Sequence, residues 1–116
     1  TLLRSILIAQ DLVYSNCHIF MAQGESERVN WIKTLEELKN KNYKVIFGGH
    51  GEPASEKVFD EVIAYVEYAG ECLVKLTNDN ISNKEKAEKY KKHLKEKYPN
   101  LKAESLIDIT TGYLFR

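Results

Sequence analysis

Gly48-Gly49-His50-Gly51-Glu52-Pro53 follows directly on the apolar run Tyr43-Lys44-Val45-Ile46-Phe47. A short apolar run closed by glycines reads as a buried strand ending in a turn. The histidine then stands at the carboxyl edge of a sheet, where open α/β proteins collect their ligands. The glycines allow a sharp turn and leave the imidazole room to reach a metal or substrate. A second polar residue occupies a matching point, because Asp11 follows the apolar run Ile6-Leu7-Ile8-Ala9.

Working outward, Arg4–Ala9 is predicted as the first strand, and Gln10–Gln23 as a mixed, loop-like segment anchored by Val13, Ile19, Phe20 and Met21. A helix is predicted from Ser26, a good N-cap flanked by Glu25 and Glu27. Trp31, Ile32, Leu35 and Leu38 recur at three- and four-residue spacing on one face of it, and Asn40 or Asn42 can end it. Strand, helix, strand makes a βαβ-like unit, with parallel strands and a right-handed crossover. Ser55 then caps a long helix to about Leu76, with Val58, Phe59, Val62, Ile63, Val66, Ala69 and Leu73 as its apolar stripe. Thr77-Asn78-Asp79-Asn80 is a turn cluster, and Ser82 or Asn83 opens a charged helix that Pro99 stops. Its stripe is narrow: Ala87, Tyr90, Leu94 and Tyr98. Ala103–Leu114 reads as a last short helix, although Thr110-Thr111-Gly112 favours helix only weakly.

At 116 residues the chain makes one domain at most, able to bury a modest core. Its 17 basic and 17 acidic residues balance, which removes the electrostatic footprint of a general nucleic-acid binder. No apolar run approaches the ~20 residues that span a bilayer, and Thr1-Leu2-Leu3-Arg4 does not form a signal peptide. Neither nucleic acid nor membrane is therefore expected as a partner. Cys17 and Cys72 lack the spacing of a metal knuckle or redox motif. Free thiols in a reducing, cytoplasmic compartment are the expectation. The chain opens inside a predicted strand without an initiator methionine, as a fragment does.

Ile8-Ala9-Gln10-Asp11-Leu12-Val13-Tyr14, followed by Gly48-Gly49-His50-Gly51, resembles the C-terminal half of a metallo-β-lactamase-fold hydrolase. In that superfamily one strand ends in an Ala-Gly-Asp-Leu-like segment whose aspartate bridges two metal ions. About forty residues later a second strand ends in a Gly-His-Gly turn whose histidine binds one of them. Tyr98-Pro99-Asn100 in the tail also looks like hydrolases of this group. The resemblance implies an α/β fold: half of an αββα sandwich, with short parallel strands, long helices and a helix-rich tail. It divides the single partial domain into a strand-loop-helix-strand unit over 1–55 and a helical tail over 56–116. It further implies Asp11 as metal bridge, His50 as terminal ligand and two divalent ions, zinc first among them, in the intact protein.

Three departures from the family pattern stand out. Gln10 replaces the usual glycine, Gly49 replaces the usual proline, and the His-x-His-x-Asp-His motif is nowhere in the chain. The resemblance therefore implies an N-terminal half of the same protein as a partner, and no catalytic residue in this chain alone. Hydrolysis of a small-molecule ester, lactone, thioester, β-lactam or phosphoester is expected of the whole protein, and silence of the isolated chain. A diiron redox member of the same fold is an open alternative.

Taken singly, His50 reads as a turn histidine and Asp11 as a cap or Asx-turn residue; only the pair in order and spacing makes them ligands. His18, Tyr14 and Asn16 are candidates to line the substrate mouth, against packing or solvent exposure as the plainer reading. Adjacent Cys17 and His18 rarely present both side chains to one substrate, so a Cys–His nucleophile is not expected. The lysines of Lys84–Lys97 are interleaved with Glu85, Glu88 and Glu96, and read as a solvated face held by i,i+4 pairs. The rival from another class is a non-catalytic helical interaction module. A half-fold leaves an apolar sheet face uncovered, so a homo-oligomer is expected of the isolated chain.

Overall fold

The computed structural model describes residues 6–116. Six elements follow in order: β1 (Ile6–Ser15), α1 (Glu25–Lys39), β2 (Val45–Gly51), α2 (Lys57–Thr77), α3 (Asn83–Lys97) and α4 (Ser105–Leu114). The protein is α/β, with a two-stranded parallel sheet and four helices. The predicted start of the first strand at Arg4 and Ser5 lies outside the described residues.

The two strands pair in parallel from Ile6↔Val45 to Ser15↔Gly51, and between those pairs β1 holds three more residues than β2. The surplus is absorbed as register shifts between Ile8 and Gln10 and between Gln10 and Tyr14, and Gln10 takes φ 48°. This corrects the expected boundary at Ala9. Asp11 lies inside β1, on its bulged stretch, because the pairing resumes at Tyr14 after the irregularity. β2 likewise runs to Gly51, so Gly48 and Gly49 belong to the strand and only Gly51 has a left-handed φ, 91°.

Side chains alternate across the sheet. Leu7, Ala9 and Ile46 turn toward the core, while Ile6, Ile8 and Phe47 stay 40%, 72% and 41% exposed on the other face. The helices cover only the first face. α2 packs on β1, α1 on α2, α3 on α2, and α4 on α3. Val58, Phe59, Val62, Val66, Ala69 and Leu73 are buried along α2 as the stripe predicts, Ile63 is only half-buried, and Tyr65 joins the buried set. Trp31 and Leu35 are buried on α1, and Tyr90 and Leu94 on α3.

Helix starts follow the predictions unevenly. Ser82 caps α3 through its hydroxyl, which accepts from the Glu85 amide. At α1 the cap is Gly24, not the expected Ser26, and no side chain bonds the free amides. α2 begins at Lys57, two residues beyond Ser55, because Ala54 is held extended by a reciprocal pair of hydrogen bonds to Ile46 at 2.8 and 2.9 Å. α4 forms despite its threonines. The Thr110 hydroxyl donates to the Leu106 carbonyl and accepts from the Met21 amide, so tertiary packing overrides a weak propensity. Cys17 and Cys72 are both free. Among the described residues, no helix is long and apolar enough to cross a membrane.

Candidate functional site

The bulge on β1 and the glycines on β2 are two halves of one local arrangement. A Cβ at Gly48 would collide with the Val13 carbonyl, and one at Gly49 would stand 3.1 Å from Asp11 Oδ1 and from the Gln10 carbonyl carbon. Side chains at 48 and 49 would thus push the bulge off the neighbouring strand. With glycine there, β1 folds down over β2 and Asp11 comes to lie beside His50.

Asp11 Oδ1 and His50 Nε2 are 4.0 Å apart, with the two side chains 89% and 45% exposed. The acceptors of a carboxylate and an imidazole thus converge at the surface, open to solvent and to anything that approaches the sheet end. The two residue types suit zinc, manganese or iron. Donors sharing one tetrahedral ion at about 2 Å each stand about 3.3 Å apart, so the pair needs only a small rotamer change to share a cation. Among the described residues, no group of three or more His, Cys, Asp or Glu side chains could hold a metal ion. The pair offers two donors where a metal site takes about four.

Tyr14 is paired with His50 across the sheet, and their rings stack with centroids 4.8 Å apart and planes 7° apart. Burial, and then the Asp11 charge, push the Tyr14 phenol above its ordinary pKa, so it stays protonated at neutral pH. Asn16 is exposed, with φ 54°, and its carbonyl accepts from the Lys102 amide. His18 is 1% exposed and faces the core, where its Nδ1 meets the Tyr65 hydroxyl at 2.9 Å. Burial pushes its imidazole below the ordinary value, which favours the neutral ring in its hydrogen bond with the Tyr65 hydroxyl. Burial also pushes the Cys17 thiol up, which disfavours a thiolate. Cys17 and His18 are thus not arranged as nucleophile and base.

A cleft of about 220 Å³ adjoins His50, bounded by Ser15, Asn16, Glu52, Lys102 and Leu106. Lys102 reaches Glu52 at 3.4 Å across its mouth. The loop before α4 is tied to the end of β1 by hydrogen bonds from His18 to Lys102 and from Lys102 to Asn16. Two contributors are not singled out by the sequence reading. Lys102 has no sequence neighbour of interest, and only the fold brings it near His50. Trp31 reads as a core residue, yet its indole N–H donates to the Leu12 carbonyl at 2.9 Å on the bulge. A buried tryptophan needs a partner for its N–H, and that need was the available signal.

Comparison with protein-family models, with curated proteins and with solved structures gives no match to this chain.

Proposed function

We propose that this chain is part of a metal-dependent hydrolase of the metallo-β-lactamase fold, and supplies Asp11 as bridging ligand and His50 as terminal ligand to a binuclear site. The observation that carries the reading is the 4.0 Å approach of Asp11 Oδ1 and His50 Nε2 from adjacent parallel strands. Gln10 adds to it. Its φ of 48° is a left-handed conformation that glycine, the residue the resemblance places at this position, adopts without strain. A pair of divalent ions at such a site supplies Lewis-acid polarisation of a carbonyl or phosphoryl group and a nucleophile at neutral pH. The chain's own residues hold and orient: Asp11 and His50 present their donors, and the glycines at 48 and 49 let the strands approach closely enough to do so. The substrate remains in the class of esters, lactones, thioesters, β-lactams and phosphoesters, because one fold hosts many chemistries.

The uncovered sheet face bears on the partner. Parallel sheets are as a rule covered on both faces, whereas Ile6, Ile8 and Phe47 are exposed here. A second β layer carrying further histidine and carboxylate donors would bury that face and complete the coordination sphere at once. The same exposed face favours a second reading, in which the isolated chain is an interaction module that pairs with another copy.

The test is native mass spectrometry on the protein expressed from its natural reading frame. Two bound divalent ions are expected, with loss of metal in Asp11→Ala and in His50→Ala. A natural product that carries no metal, or whose metal content ignores both substitutions, overturns the hydrolase reading.

A further inference from the structure

We infer that Tyr14 is a positioning residue for His50: it fixes the plane of the imidazole, in which Nε2 faces Asp11. This inference rests on the metal-ligand reading for its purpose, but its geometry stands by itself. An exposed histidine ordinarily has freedom about its last side-chain torsion, which is broad. Here the ring lies almost parallel to the Tyr14 phenol, 7° between planes and 4.8 Å between centroids. Stacking of this kind stabilises one ring orientation beyond the area it buries.

The phenol can act as a wall because it is itself held. Tyr14 is 7% exposed and tilts against Trp31 at 6.4 Å between centroids. Trp31 belongs to α1 and is anchored in turn, since its N–H donates to the Leu12 carbonyl, two residues from Tyr14. Helix, bulge, phenol and imidazole form one connected stack, so α1 acts on the orientation of His50 through Trp31 and Tyr14. Ligating histidines are commonly oriented by a hydrogen bond on the second ring nitrogen. The aromatic face takes that part here, and it sets the plane rather than the tautomer. Tyr14 thus supports one face of the imidazole, and it also lines a cleft with Asn16, Cys17 and Tyr65.

Proton–carbon NMR correlation of the His50 ring in the full chain tests this, with His50→Ala for assignment and Zn²⁺ as the probe. The ring protons are expected several tenths of a ppm upfield of free histidine in the native protein and in Tyr14→Phe. In Tyr14→Leu they should return toward the free value. Zn²⁺ affinity should fall roughly tenfold in Tyr14→Leu, the size seen when a ligand loses its orienting partner, and be kept in Tyr14→Phe. His50 ring protons at the free-histidine position in the native protein overturn the inference, whether or not Tyr14→Leu folds. So does a folded Tyr14→Leu that binds Zn²⁺ as tightly as the native chain. If the chain binds no Zn²⁺ while the ring shifts respond to Tyr14, two donors do not hold the ion without the rest of the site and the orienting stack stands; the metal reading is then decided by the metal content of the natural protein.

Discussion

His18 and His50 have the same side chain and opposite circumstances, and the difference is set by what each strand end touches. His50 sits over a tyrosine face at the surface, whereas His18 is enclosed and bonded to Tyr65. Burial is the largest influence on His18 and lowers its pKa from 6.5, while Glu104 opposes and Lys95 reinforces that shift. In the unfolded chain the imidazole protonates near its ordinary value, and in the folded chain it resists until lower pH. Stability from His18 is therefore full above about pH 6.5 and is lost as pH falls below it. Urea midpoints compared at pH 7.5 and 5.5 should drop on acidification, and the drop should shrink in His18→Gln; an equal drop in both proteins removes His18 as the cause. Asp11 and His50 were readable as polar residues closing two apolar runs, although both lie inside their strands, Asp11 on the bulge of β1 and His50 one residue before the end of β2. The depth of His18 was hidden, because burial there depends on Lys102 and Tyr65, 84 and 47 residues away along the chain.

Among the elements, the helices were the most legible and the first strand the least. The stripes on α1, α2 and α3 repeat over several turns, so a single misplaced residue does not obscure them. β1 has no such redundancy. Its three surplus residues break the alternation after Ile8, and Gln10-Asp11 reads as a loop although pairing resumes at Tyr14. Caps were legible only where no tertiary contact competes. Ser82 bonds the Glu85 amide, whereas the Ala54–Ile46 pairing keeps Ser55 out of the cap of α2. Thermal or urea unfolding should accordingly show Ser82→Ala to be destabilised by about 1 kcal/mol. Ser55→Ala should change stability by less than about 0.5 kcal/mol, as ordinary surface substitutions do. Equal effects from the two serines contradict the assignment of caps.

At the scale of the whole molecule, the helices lie on one side of a two-stranded parallel sheet and leave the other side apolar. The described residues extend 54 × 27 × 20 Å, an elongated body for its size. The sequence carried this too, since Ile6 and Ile8 alternate with Leu7 and Ala9 on a strand that is apolar on both faces. What it did not carry is which face the helices choose. That choice follows from α2 packing on β1. An exposed patch of this kind promotes association, so sedimentation of the chain should show concentration-dependent oligomers. Ile8→Ser together with Phe47→Ser should shift it to monomer without loss of helical signal, because both side chains already contact solvent. A stable monomer in the native chain, or oligomers indifferent to both substitutions, places the association surface elsewhere.

The most direct measurement is paramagnetic broadening of amide resonances as Mn²⁺ is added to the chain. If the carboxylate of Asp11 and the imidazole of His50 together attract a divalent ion, the amides of Asp11, Leu12, Gly49 and His50 broaden first, and Asp11→Asn abolishes that priority. Broadening that begins at other acidic residues, and that is the same in Asp11→Asn, contradicts the account.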